Sequence, residues 1–276
     1  MIALKGIRVL CAAVNVPGPL AAARLRALGA TVVKIEPPAG DPLALASPDW
    51  YAEIMQGIAL QVLDLKSPGG RAACEAILAG TDLLLTANRL STLEGLGLNW
   101  HALHARHPQL CQIAIVGYGP PRDDKPGHDL NFVAAHGLLG SPTLPRTLGA
   151  DILGAERAVS EALALILARE RGQGAGYRCV SLDGAAQVLA APLRHGITSP
   201  EGALGGALPS YGVYAAKDGH VALAAIEAHF LEHLYREWDS EPASFEEFSE
   251  IFLTRTAQEW EDWATERNLP LVALSG

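Results

Sequence analysis

The sequence has few of the features that mark exported, membrane-spanning or disulfide-stabilised proteins. Its four cysteines are widely separated, form no Cys-x-x-Cys pair and each lie in an apolar or strand-like context, which predicts buried thiols. The apolar stretch from 158 to 167 is interrupted by Glu161 and falls short of the roughly 20 residues that a membrane span requires. The residues from Met1 to Gly6 lack the features of a secretory signal. We therefore expect a cytoplasmic protein without a membrane-spanning segment.

Clusters of basic residues are also missing. The chain of 276 residues carries a formal net charge of -9, and its Lys and Arg residues are not interleaved with aromatic residues in any one segment. This acidity disfavours nucleic acid as a partner. It does not disfavour a small phosphorylated ligand, because a few well-placed Arg or Lys side chains hold phosphates locally.

Three common classes of catalytic site lack their signatures. The first strand–helix turn, residues 13–19, has no Gly-x-Gly-x-x-Gly, which disfavours a dinucleotide cofactor. No serine lies in a nucleophile-elbow context. His229 and His233 are four residues apart on a predicted helix, but no third zinc ligand is evident, so exposed helical histidines are the plainer interpretation. No metal is expected.

The hydrophobic pattern of the first 190 residues alternates short apolar runs with helical segments. The pattern predicts a doubly wound, mostly parallel, Rossmann-like α/β sheet with helices on both faces. A long Gly- and Pro-rich loop follows the fifth strand, in the position where parallel sheets commonly bind ligands. The predicted strands are residues 7–11, 31–36, 60–65, 82–86, 112–116 and 177–182, and an apolar helix is predicted over 155–171.

The pattern changes near residue 190. A Gly-rich crossing precedes residues 211–223, which predict a hairpin turned at Asp218-Gly219. The last predicted helix begins at Thr256 with Glu259 three residues later, a capping box. We predict a large Rossmann-like domain over 1–190 and a small α+β domain over 191–276.

Two polar residues in the large domain permit two interpretations each. His128 lies between Gly127 and Asp129 at the end of the long loop, where a helix start would face a cleft. By spacing alone, a surface or capping histidine is the plainer interpretation. Asp151 precedes an apolar helix, where N-terminal capping is equally the plainer interpretation.

Short motifs that match a known family lie along nearly the whole chain. They are Leu4–Leu10, Pro17–Leu25, Leu28–Ala30, Val33–Pro38, Gly40–Pro42, Leu63–Arg71, Leu93–Leu98, Gly117–Gly119, Ala168–Arg171 and Ser181–Gly184. These motifs resemble those of family III CoA-transferases, the carnitine dehydratase and bile-acid-inducible F family. The resemblance implies an acyl-CoA thioester as substrate, with coenzyme A entering as part of that substrate and no separate cofactor.

Within this family, residues 126–132 are similar to the corresponding loop of α-methylacyl-CoA racemases, whereas transferase members more often have an aromatic residue in place of His128. Asp151 matches the catalytic aspartate of the family, and Glu227 matches the glutamate that partners the histidine in racemases. The resemblance implies racemisation by two bases, one on each side of the α-carbon. The alternatives are a CoA-transferase in which Asp151 is the nucleophile and a catalytically silent binding or assembly protein.

The resemblance also implies residues that bind the CoA portion. Arg24 and Arg89 are expected near its phosphates and Tyr118 along its pantetheine arm. Donors near Asp129 are expected to stabilise an enolate oxygen. Family members form homodimers of interlocked chains, so we expect a homodimer here.

Three segments depart from the family pattern. Residues 55–59, Met-Gln-Gly-Ile-Ala, carry no charge where relatives have a basic stretch that contacts the nucleotide. Ile152 and Leu153 stand where racemases have a run of glycines. After residue 274 the sequence shows no counterpart of the segment that returns to the large domain in relatives, and we expect this return segment to be missing.

Overall fold

The computed structural model describes residues 2–122, 125–140 and 142–274. The chain forms two compact units, with the boundary between Ala190 and Ala191. Within the described ranges, none of the helices combines the length and the apolar character that crossing a bilayer requires.

A six-stranded sheet forms the centre of the first unit. All five pairs of neighbouring strands are parallel, in the order β3-β2-β1-β4-β5-β6. From β1 the chain first adds strands on one side, β2 and β3, and then on the other side, β4 to β6. This reversal of strand order between β1 and β4 confirms the predicted doubly wound fold. The elements are β1 Arg8–Cys11, α1 Pro17–Ala27, β2 Thr31–Glu36, α2 Pro42–Ala46, α3 Pro48–Ile54, β3 Ala59–Val62, α4 Pro68–Leu78, β4 Leu83–Thr86, α5 Leu90–Gly95, α6 Trp100–Arg106, β5 Cys111–Val116, α7 Asp129–Ala135, α8 Gly149–Ala168, β6 Tyr177–Ser181 and α9 Leu182–Leu189.

Both faces of the sheet are buried at the central strands β4 and β5, as their largely apolar sequences predict, whereas all four residues of the edge strand β3 are exposed. In β4, Leu83 and Leu85 pack into the cluster that contains α1 and α8, whereas Leu84 packs into the opposite cluster with α4 and α6. The two-residue period of a strand thus supplies one core on each side of the sheet. Ser67 caps α4, because its Oγ accepts the N–H of Gly70 at 3.0 Å.

The second unit contains a three-stranded antiparallel sheet, in the order β7-β8-β9. The predicted hairpin is confirmed, since the N–H of Ala216 bonds to the Gly219 carbonyl across the turn at 3.0 Å. The predicted capping box is confirmed as well, with the N–H of Glu259 donating to Thr256 Oγ1 at 3.2 Å. The elements are α10 Ala191–Arg194, β7 Tyr211–Ala215, β8 His220–Ala224, α11 Ala228–Trp238, α12 Phe245–Phe252, α13 Ala257–Glu266 and β9 Leu271–Ala273.

Two sequence expectations are wrong. Cys179 is exposed, because β6 is an edge strand of the sheet, whereas the other three cysteines are buried. The long helix begins at Gly149 rather than Ala155, and Leu148 is its N-cap. Its first turns bury the small residues Ala150 and Gly154, whose weak hydrophobicity hides the helical period from the sequence pattern.

A group of buried charges lies under the carboxyl ends of β1 and β2. Lys34 is fully buried, and its Nζ lies 2.5 Å from Glu36 Oε1 and 2.8 Å from Asp41 Oδ2. Tyr51 on α3 donates its hydroxyl to the same Glu36 oxygen. One cation therefore pairs with two carboxylates in an environment where an unpaired charge is strongly unfavourable.

We predict that Lys34→Ala lowers the free energy of unfolding by about 3–5 kcal/mol, because it leaves two buried carboxylates without their cation. Urea unfolding followed by circular dichroism at pH 7 measures the change. The exposed Lys66, changed to Ala, is the matched control and should shift stability by less than about 0.5 kcal/mol. Equal effects of the two substitutions would contradict the role assigned to Lys34.

Candidate active site

Loops at the carboxyl edge of the parallel sheet form a cavity of about 250 Å³. It lies where β4 and β5 end, beside the point between β1 and β4 at which the strand order reverses. This is the usual ligand position in doubly wound sheets. Two cationic side chains and an imidazole face this space. The lining residues are Ala87, Asn88, Arg89, Val116, Gly117, Lys125, Pro126, Gly127 and His128.

Gly127 fixes how the long loop enters α7. A Cβ atom at this position would lie 2.7 Å from Phe132 Cε1 and 3.0 Å from Tyr118 Cε2, so a side chain does not fit. The two rings meet edge to face, with centroids 5.1 Å apart. Packing of the loop backbone against this aromatic pair places the next residue, His128, at the start of the helix.

His128 is the N-cap residue of α7 and its side chain is exposed. Its own N–H donates to Asn131 Oδ1 at 3.0 Å, which fixes the backbone at the helix start. The structure therefore places the imidazole at a helix start that faces a cavity.

Asp129 and Asp151 form a buried pair next to His128. Asp129 is the first residue of α7 and Asp151 the third residue of α8, and the two residues are 5% and 6% exposed. The N–H of Asp151 donates to Asp129 Oδ1 at 3.0 Å. The N-cap residue of α8 is Leu148, so Asp151 lies in the first turn of the helix rather than at the cap, and Asp129 accepts its N–H from outside the helix.

This environment changes the acidity of Asp151. Burial, and secondarily the nearby carboxylate of Asp129, raise the pKa of Asp151 from 3.8 to about 7. A carboxyl group with this pKa is both a proton donor and a proton acceptor at neutral pH. The arrangement therefore suits acid–base chemistry.

A further polar group, which sequence reasoning did not identify, anchors the long loop. Arg122 Nη2 lies 2.7 Å from Asp183 Oδ2, and His136 Nε2 lies 3.0 Å from Asp183 Oδ1. The cations of Arg122 and Lys125 also lie 4.9 and 4.7 Å from the centre of the Tyr118 ring. The position of Asp183 directly after a strand was the signal available in the sequence. These contacts hold the loop that carries His128 against α9.

The residues expected at the CoA portion occupy different surroundings. Arg89 is exposed and lines the cavity with His128. Arg24 lies on α1, 4.0 Å from Glu156, with both side chains more than half exposed. Tyr118 is only 3% exposed, and its ring belongs to the core next to the cavity wall. Of the three, Arg89 is the one that the structure brings to the same cavity as His128.

Glu227 belongs to the second unit. It is exposed, is the N-cap residue of α11 and forms no side-chain cap hydrogen bond. On the same helix, His233 pairs with Glu237 at 3.7 Å. Among the described residues, no group of three or more His, Cys, Asp or Glu side chains is arranged to hold a metal ion.

Comparison with known proteins identifies the family. The model of CoA-transferase family III matches residues 4–275. The chain belongs to CoA-transferase family III.

Relatives of this family III protein include enzymes of two kinds. It is 28% identical to human alpha-methylacyl-CoA racemase over 94% of this chain and 74% of the racemase. It is 33% identical to the cinnamoyl-CoA:phenyllactate CoA-transferase of Clostridium sporogenes over 62% of this chain and 47% of the transferase. The chain thus spans about half the length of that transferase.

A solved structure shares the fold. The crystal structure of a hypothetical protein from Mycobacterium tuberculosis, Rv3272, superposes with a TM-score of 0.84 at 25% identity, covering 99% of this chain and 84% of that one. The architecture of the family III protein, including the elements that carry His128 and Asp151, is therefore that of its family.

The raised pKa of Asp151 predicts a pH-dependent stability. Because the folded-state pKa exceeds the ordinary value, folding takes up a proton at this group, and the contribution of Asp151 to wild-type stability falls as pH rises from about 4 to about 7. Asp151→Asn removes this dependence, so its unfolding free energy relative to wild type should increase across that window, by on the order of 2–4 kcal/mol.

Urea unfolding at a series of pH values between 4 and 8 measures the difference. Asp49→Asn, an exposed aspartate in the first turn of α3, is the matched control and should parallel the wild-type curve. Parallel curves for wild type and Asp151→Asn would show that the Asp151 carboxyl is not buried as described.

Proposed function

We propose that this protein is an acyl-CoA-processing enzyme that racemises or epimerises the α-carbon of a 2-methylacyl-CoA by two-base proton transfer. The observation that carries the proposal is the buried carboxyl of Asp151, with a pKa of about 7. The backbone N–H of this residue donates to Asp129, the neighbour of His128 in the sequence. Membership of the family and the similarity to human alpha-methylacyl-CoA racemase support the same chemistry.

The proposed reaction assigns one base to each face of the α-carbon. One of His128 and Asp151 removes the α-proton, and the other delivers a proton to the opposite face. Bases whose pKa lies near the operating pH serve best in both directions, which matches the acidity of Asp151. Glu227 is the proposed partner of the imidazole.

Removal of the α-proton places negative charge on the thioester oxygen. We assign stabilisation of this enolate to backbone donors at Asp129, where α7 begins. Exposed positive charge at Arg89 and Lys125 suits the phosphates of the CoA portion, because both side chains line the cavity that contains His128.

A second candidate function is CoA transfer, which the similarity to several CoA-transferases favours. In that reaction the ionised Asp151 carboxylate attacks the thioester carbonyl and the carbon–sulfur bond breaks. The CoA thiolate departs, and the acyl group stays bound to Asp151 as a mixed anhydride. Hydroxylamine cleaves such an anhydride at the aspartyl carbonyl, so mass spectrometry after this treatment would detect Asp151 as a hydroxamate when the acceptor acid is withheld.

Racemisation predicts isotope exchange. Incubation of a chiral 2-methylacyl-CoA in deuterated water should introduce deuterium at the α-position, and His128→Ala and Asp151→Asn should each slow the exchange about 10²- to 10⁴-fold. The exposed His101, changed to Ala, is the matched control and should exchange at the wild-type rate. Wild-type protein that binds the thioester without exchanging its α-proton would exclude racemisation.

The cationic cavity predicts a specific loss of CoA affinity. Arg89→Ala should weaken CoA binding about tenfold, the effect of losing a hydrogen bond to a charged group, in a calorimetric titration. Arg178→Ala, which removes a half-exposed arginine of the edge strand β6, should leave the affinity unchanged. Unchanged affinity in Arg89→Ala would place the phosphates elsewhere.

A further inference from the structure

Asn15 has an unusual conformation at the carboxyl edge of the sheet. It lies between the end of β1 and the start of α1 with φ of 70°, one of three non-glycine residues with positive φ in the described ranges. Asparagine tolerates this left-handed region better than most residues, but the conformation still has to be held by its surroundings.

The buried charges under β1 and β2 hold this conformation. The N–H of Asn15 donates to Asp41 Oδ1 at 2.9 Å, and Asp41 Oδ2 is paired with the fully buried Lys34. The next residue, Val16, packs against Leu43 of α2 and Ile54 of α3. The backbone at Asn15 is therefore fixed by an ion pair and a small apolar core, both rigid features.

The side chain of Asn15 remains available. It is half-buried, and among the residues that the structure describes its carboxamide forms no hydrogen bond. Solvent reaches the carboxamide atoms, so a ligand that displaces this water can form hydrogen bonds with them.

Helix packing places Asn15 at the same end of the first unit as Asp151. Helices α1 and α8 pack against each other, and Arg24 and Glu156, the eighth residue of each helix, lie 4.0 Å apart. Helix α8 ends at the amino edge of the sheet, where Arg169 bonds to Asp82. The two helix starts are therefore level at the carboxyl edge, and Asn15 lies at the same end of the helix pair as Asp151.

We infer that the Asn15 carboxamide is a further substrate contact, whose Nδ2 donates to a neutral carbonyl oxygen of the thioester arm, with Asp41 as its positioning residue. The inference rests on the proposed acyl-CoA substrate. Three carbonyl oxygens of that substrate have the required chemistry, the two amide carbonyls of the pantetheine arm and the thioester carbonyl.

The test compares Asn15→Gly and Asn15→Asp with wild type. Glycine keeps the positive φ without the carboxamide, and aspartate is nearly the same size but replaces the donor with an acceptor. Asn268, another asparagine with positive φ, is exposed in the second unit, and Asn268→Gly is the matched control. Thermal unfolding should give similar midpoints for all four proteins.

A pantetheine contact should weaken calorimetric binding of CoA about three- to tenfold in Asn15→Gly, with a loss at least as large in Asn15→Asp. A thioester contact should leave CoA affinity unchanged and reduce the deuteration rate of a 2-methylacyl-CoA by a similar factor. Either result supports the inference.

Unchanged CoA affinity, together with a deuteration rate that is unchanged in the variants or undetectable in wild type, overturns the inference while the CoA assignment stands. Wild-type protein that binds no CoA instead overturns the proposed function, and the Asn15 contact with it. The failures of the two proposals are therefore distinguishable.

Discussion

The hydrogen bond from the Asp151 N–H to Asp129 Oδ1, 3.0 Å long, joins the two helix starts on which the candidate chemistry depends. It satisfies a donor that the first turn of α8 cannot satisfy itself. The same bond brings a second carboxylate to a site from which water is largely excluded. Burial and this neighbour together keep Asp151 partly protonated at neutral pH, which an exposed aspartate in a helix turn would not be.

Other features of the first unit position this pair and the cavity beside it. Gly127 lets the loop backbone pack onto Tyr118 and Phe132, and the Arg122–Asp183 ion pair holds the same loop against α9. The cavity carries exposed positive charge although the whole chain has a formal net charge of -9. Local placement, rather than total charge, therefore suits this edge of the sheet to an anionic ligand.

The sequence predicts the sheet well because strands buried on both faces, such as Leu83–Thr86 and Cys111–Val116, are largely apolar. It predicts the start of α8 poorly because small residues form its buried stripe. Asp129 and Asp151 are 22 residues apart, and each alone has the pattern of an ordinary helix-start residue. Resemblance to a family, not spacing, singled out Asp151. Lys34 and Asp41 look like surface charges in the sequence, and only tertiary packing reveals that they are buried.

The central claim is that burial, with the carboxylate of Asp129 as a secondary cause, raises the pKa of Asp151 to about 7. Carbon-13 NMR of labelled aspartate carboxyl groups titrates Asp151 directly, with its resonance assigned from Asp151→Asn. The account predicts a midpoint of about 7 in wild type, and in Asp129→Asn a lower midpoint that burial still keeps above 3.8. A wild-type midpoint near 3.8, or one that Asp129→Asn does not change, would contradict it.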